Sequence, residues 1–178
     1  MSEKEWLMLN FTLPKEPSRV RVSVWRKLKK YGSISIGQSM WLLPISEKNK
    51  HIFDEISIEI TQNNGSAYIL NANFIAEANS EEIISKFNAV RNEEYQELLE
   101  KCNDFFREIE NETEKKNFTY AELEENEEEF NKLTEWLKKI AMRDFYNASL
   151  RIESEKRLET CKQILDDFSN KVYEINQE

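Results

Sequence analysis

Every glycine and every proline of this chain lies within its first 65 residues: Gly32, Gly37, Gly65, Pro14, Pro17 and Pro44. Residues 66–178 contain neither. A stretch that long without a helix breaker favours long uninterrupted helices, whereas the punctuated first part favours short elements joined by turns. Charge divides the chain near the same place. Residues 1–76 carry ten Lys/Arg against seven Asp/Glu, a net of +3; residues 77–178 carry 15 against 27, a net of −12. Together the two shifts predict a boundary near Ala76–Ser80, with domains at 1–78 and 79–178.

The first domain reads as alternating strands and helices. Trp6–Leu13 is an apolar strand stopped by Pro14. Pro17 sits where the first turn of a helix tolerates proline. Val20, Val24, Leu28 and Tyr31 then recur at helical spacing until Gly32 supplies a stop. Ser33–Gly37 and Met40–Ile45 are β-rich and form a hairpin or bulged pair. Ser46 is an N-cap for a second helix with Ile52, Phe53, Ile56 and Ile60 on its apolar face. Asn64-Gly65 ends that helix, and Ser66–Phe74 is a last strand with Ala67, Ile69 and Leu70 as its inward candidates. The order β-α-β-β-α-β predicts a ferredoxin-like unit, an antiparallel sheet with both helices on one face.

The second domain reads as helices throughout. Tyr95, Leu98, Leu99, Cys102, Phe105, Phe106 and Ile109 form one apolar stripe. Leu123, Phe130, Leu133, Leu137 and Ile140 form another, with Trp136 beside it; Leu150, Leu158, Cys161, Leu165, Phe168 and Val172 make the third. Connections near Asn111–Thr119 and Asp144–Asn147 are short enough for antiparallel neighbours, so an antiparallel three-helix domain is expected. The fold class predicted is therefore α+β.

Composition narrows the chemistry. There is one histidine, His51, and it has no acidic or Cys neighbour read at ligand spacing. Two cysteines, Cys102 and Cys161, make neither a disulfide framework nor a four-ligand metal site, and both fall on apolar helix stripes, where thiols are usually inert. No glycine pattern that cradles a nucleotide is present. Carboxylate pairs such as Glu81-Glu82, Glu93-Glu94 and Asp166-Asp167 lack a His at Glu-x-x-His spacing, so no di-iron bundle is expected. No apolar run approaches the ~20 residues of a membrane span, and the N-terminus lacks the basic start and apolar core of a signal peptide. The expectation is a cytoplasmic, non-enzymatic protein without metal or cofactor.

The main candidate surface is the first helix. Projected at about 100° per residue, Arg19, Arg26 and Lys30 fall within about 40° of one another, opposite the apolar face, and Lys29 borders them. Such a stripe can neutralise phosphates; the ordinary alternative is a solvated helix face. Arg21 projects beside Leu28 and Trp25 at the edge of the apolar face, where a structural salt bridge closing the core is the expected role. Trp25 and Trp41 have the faces to stack on bases, but packing is the favoured reading for both. Glu122–Glu129 places six Glu in eight positions. It reads as a solvated face, or as an acidic surface that docks a partner or masks the basic helix.

Three groups of residues resemble one family: Trp6-Leu7-Met8-Leu9 with Leu13-Pro14; Arg19-x-Arg21 with Trp25-Arg26-x-Leu28-Lys29-x-x-Gly32; and Ser39-Met40-Trp41-Leu42-Leu43-Pro44. They are similar to the N-terminal region of the chromate-resistance regulator ChrB. Glu94-Tyr95-x-x-Leu98 and Arg143-Asp144-Phe145-Tyr146 resemble that family's helical part, so the likeness runs over roughly residues 4–172. It implies transcriptional control of chromate-resistance operons, with DNA as partner and chromate as signal, and makes Arg21 a candidate contact for an anionic effector. Longer family members carry a further C-terminal domain that this sequence does not include, so chromate sensing by this chain alone is not expected.

The expected function is thus a DNA-binding transcriptional regulator or regulatory module. Its phosphate contacts are Arg19, Arg26, Lys29 and Lys30, in a homodimer that doubles them. The alternative is a non-catalytic protein–protein adaptor using the acidic helical domain. The first domain is also similar in layout to the small nuclease subunit of CRISPR spacer acquisition. That family needs a metal-binding Asp at the end of its first strand, where this chain has Leu9-Asn10-Phe11-Thr12-Leu13, so nuclease activity is not expected.

Overall fold

A computed structural model describes residues 4–177. Residues 1–3, with which the segment read against a signal peptide begins, and residue 178 lie outside the described residues. Among the described residues four strands and five helices follow in the order β1 (Trp6–Thr12), α1 (Ser18–Lys30), β2 (Ile34–Ser35), β3 (Met40–Pro44), α2 (Glu47–Gln62), β4 (Ser66–Ala72), α3 (Glu77–Glu114), α4 (Tyr120–Ala141) and α5 (Arg151–Asn176). The chain is α+β. It forms two compact units, one running to Phe87 and one starting at Asn88; α3 contributes to both.

In the first unit the strands form one sheet in the order β2-β3-β1-β4, with every neighbouring pair antiparallel. Directly paired residues share a face. Leu9 pairs with Trp41 and Ile69, Leu7 with Leu43, and Phe11 with Ala67, which sets one face of the sheet. Leu7, Leu9, Trp41 and Leu43 are buried, together with Val24 and Leu28 of α1 and Phe53, Ile56 and Ile60 of α2. Each such side chain stabilises the unit by about 1.5–3 kcal/mol relative to exposure.

Local signals act as their chemistry predicts at several points. The Ser46 hydroxyl accepts a hydrogen bond from the Asn49 amide at 3.1 Å and so caps α2. Gly32 takes φ of 81°, and the Ser33 amide donates back to the Leu28 carbonyl, which closes α1. Pro17 is the N-cap of α1 rather than its first helical residue.

Other expectations are corrected. β2 is only two residues long, because Ser35 turns its hydroxyl onto the Gly37 carbonyl and the chain bends there. β4 stops at Ala72, and Phe74 instead packs edge-on against Trp6, with ring centroids 5.6 Å apart. Leu70 does not face inward: strand alternation places it with Tyr68 on the opposite face from Ile69, and both are exposed.

In the second unit Tyr95, Leu98, Cys102, Phe105 and Ile109 of α3 share a core with Leu123, Leu133 and Ile140 of α4 and with Leu158, Cys161, Leu165, Phe168 and Val172 of α5. Thr119 caps α4 by accepting from the Glu122 amide. The α4–α5 connection runs over residues 142–150, longer than the expected Asp144–Asn147, because Asp144 is buried and organises the loop. No helix among the described residues is long and apolar enough to cross a membrane.

Candidate nucleic-acid interface

Helix α1 presents three distinct sides. Val20, Val24 and Leu28 are buried. On one flank, Ser23 donates to Glu59 of α2 at 2.7 Å and Lys27 Nζ pairs with Glu59 at 2.6 Å. Burial raises the Glu59 carboxyl, but the Lys27 and Ser23 hydrogen bonds outweigh it and hold Glu59 below the ordinary glutamate range. Lys27 is therefore committed to α2 and leaves the basic surface.

The outer side carries Arg19, Arg26, Lys29 and Lys30, all exposed. Arg19 and Arg26 make no hydrogen bond or ion pair with any described residue. Lys29 Nζ lies 6.0 Å over the Trp41 ring, and Lys30 Nζ lies 5.6 Å over the ring of Tyr31. From Arg19 to Lys30 is about 16 Å along the helix, at about 1.5 Å per residue.

The remaining flank opens on a groove of about 620 Å³ between α1 and the sheet. Trp25, Val22 and Arg21 line it from the helix, Phe11 and Trp41 from the strands, and Ser39 from the β2–β3 turn. Two expectations are corrected here. Arg21 closes no salt bridge: it is exposed and has no hydrogen-bond or ion-pair partner among the described residues, and no carboxylate among them lines the groove it borders. Trp25 is not packed away but 52% exposed, while Trp41 is buried as expected.

A family model, Protein ChrB, N-terminal, matches residues 21–178. The chain belongs to the ChrB N-terminal family. The match begins at Arg21 and takes in Arg26, Lys29, Lys30, the groove's Trp25 and Trp41, and the whole second unit; Arg19 and β1 precede it. No curated protein and no solved structure matches the chain.

The later residues that resembled the ChrB family converge in the second unit. The Arg143 guanidinium holds Glu94 through both its Nε, at 3.2 Å, and its Nη2, at 3.1 Å, while Arg91, almost wholly buried, lies 3.3 Å from the same carboxylate. Asp144 accepts hydrogen bonds from the Tyr95 hydroxyl at 3.1 Å and from the Ala148 amide at 3.0 Å. Burial, reinforced by the Asp144 charge, pushes the Tyr95 phenol well up, so it stays a donor. Their role is to pin the α4–α5 loop to α3.

Cys102 and Cys161 are both buried in the shared core of the second unit. The neighbouring Cys102 thiol and burial push the Cys161 thiol far up. His51 is exposed and does have an acidic neighbour, Glu55 one turn on, at 3.4 Å. Among the described residues no cluster of three metal-ligating side chains occurs. Sequence reasoning did not pair the two cysteines, join Arg91 to Glu94 and Arg143, or bring Phe11 to α1. The i, i+3 spacing of Arg91 and Glu94 was the one local signal.

Proposed function

We propose that this ChrB-family chain is a non-enzymatic, DNA-binding regulatory module of chromate resistance, acting in the cytoplasm as a homodimer. Its first domain is ferredoxin-like, a reading supported by the β2-β3-β1-β4 order with all pairs antiparallel. Its second is an antiparallel three-helix domain, supported by the core that α3, α4 and α5 share. The division at 78/79 follows the break in composition at the start of α3.

The observation that carries the DNA reading is the state of Arg19 and Arg26. Both are exposed on one side of α1, with no carboxylate partner among the described residues. Guanidinium forks suit phosphate oxygens. The stripe, about 16 Å long, exceeds the roughly 12 Å width of a B-DNA major groove, so its ends reach phosphates on both bordering strands. Arg19, Arg26, Lys29 and Lys30 serve as phosphate contacts and carry no base specificity.

The test is a salt series of fluorescence anisotropy on duplex DNA. Four phosphate contacts per protomer, doubled in the dimer, give a log-affinity slope of about −7.2 against log salt, at about −0.9 per contact. Arg19→Gln and Arg26→Gln each remove one contact from both protomers, reduce the slope by about 1.8 and weaken binding on every sequence alike. No DNA affinity at about 50 mM salt would reject the reading. That result would favour the adaptor function, for which the acidic groove between α3 and α4, lined by Asp104, Glu108, Glu124, Glu125, Glu128 and Glu129 among others, is the supporting observation.

A further inference from the structure

The groove beside α1 has a composition that the phosphate stripe does not use. Phe11, Trp25 and Trp41 line it, and one cation among the described residues that line it, Arg21, has no hydrogen-bond or ion-pair partner among them. No acidic side chain among the described residues lines it. Lys29 Nζ, 6.0 Å from the centroid of the Trp41 ring, puts a second positive charge near that residue. A volume of about 620 Å³ suits a small organic molecule rather than a hydrated ion.

Each wall selects a ligand property. Aromatic rings held on a helix and a strand gain from a flat aromatic guest through offset stacking or edge contact. An exposed guanidinium with its fork unoccupied pairs bidentately with a carboxylate. The hydroxyl and amide groups of Ser18, Gln38 and Ser39 offer donors around the same opening. A cation is repelled by Arg21 and Lys29, and a neutral ring leaves the guanidinium idle.

We propose that this groove is a binding site for a planar aromatic carboxylate, its ring against the exposed Trp25 and its carboxylate on Arg21. Arg19 and Arg26, the cations that carry the DNA reading, do not line it.

The test uses 2-naphthoate as probe and the full chain, by calorimetric titration. The expected result is saturable binding, with 2-naphthol about tenfold weaker or worse for want of the charge. Arg21→Gln weakens 2-naphthoate at least about tenfold, Arg21→Lys falls between, and Trp25→Ala weakens both probes. Arg19→Gln and Arg26→Gln, which test DNA binding, leave the probe's affinity unchanged. Arg21 and Trp25 are exposed, so these variants keep the fold, and an unchanged thermal unfolding curve checks that. The proposal is overturned by no binding up to about 1 mM probe, a concentration at which ring stacking plus a bidentate ion pair register. It is also overturned by equal affinity for 2-naphthol, by an unaltered Arg21→Gln, by equal losses in Arg19→Gln, or by displacement of the probe by a short single-stranded oligonucleotide, which would make the groove a nucleobase site.

Discussion

Asp144 shows how a single residue decides the geometry of a loop. Its carboxylate is fully buried and holds the Tyr95 hydroxyl and the Ala148 amide. An amide nitrogen placed there either faces the Ala148 N–H, a donor against a donor, or turns the Tyr95 hydroxyl into an acceptor, and in both cases the buried negative charge that holds the two donors is lost. Asp144→Asn is expected to destabilise the second unit by about 2–4 kcal/mol, measured by urea unfolding followed by circular dichroism. Glu59 gives a weaker, pH-dependent effect. Its folded pKa lies below the ordinary value, so the stabilisation it provides is complete above about pH 4.3, the unfolded value, and is lost as pH falls through the folded one. Lys27 is half exposed, which limits the pair to about 0.2–1 kcal/mol. Glu59→Gln should therefore fall below the parent in urea stability by that amount at pH 7, and the difference should shrink as the pH falls through the folded-state titration of Glu59, below the ordinary glutamate range. At this scale the sequence is least legible. Arg21 was read beside the apolar face and expected to pair, but a one-dimensional projection places a side chain on a helix without showing whether a carboxylate from another element reaches it. Glu59 reaches the other flank, at Ser23 and Lys27.

Elements are far more legible, because their signals are local. Ser46 caps α2 through an amide three residues on, Val20, Val24 and Leu28 repeat at helical period, and Gly32 carries the positive φ that ends α1. Phe74 is misread because a distant residue decides: it leaves β4 to meet Trp6. Leu70 is misread against a local signal, the strand's own alternation, which turns it outward. Gly65 belongs to both classes. The α2 helix ends through Asn64 at a φ of 60°, and the Gly65 amide then donates back to the Ile60 carbonyl at 2.9 Å. A Cβ on Gly65 would lie 2.5 Å from the Thr12 carbonyl oxygen and 2.6 Å from Ile60 Cγ2, so helix end and β1 crowd the same point. Backbone cannot yield as a flexible side chain can. Gly65→Ala is expected to cost about 1–3 kcal/mol in the first unit, read as a lower thermal midpoint.

For the whole molecule, the consequential fact is that a net of +3 and a net of −12 share one chain. The acidic helix face over Glu122–Glu129 contributes most densely, and Glu124, Glu125, Glu127 and Glu128 are exposed. Polyanions are repelled by the net field of the protein as well as attracted by the stripe, and that field reaches about 10 Å at 0.1 M salt. If the acidic face opposes binding through this field, converting those four glutamates to glutamine should tighten duplex binding, most at low salt. The measurement is the same anisotropy salt series. A field effect raises affinity severalfold near 50 mM salt and converges with the parent as salt rises, because distant charges are screened first. Unaltered affinity at low salt would show the acidic face to be indifferent to DNA. It would then stand as a solvated surface or as the docking face of a basic partner, which is where the adaptor reading and the regulator reading part.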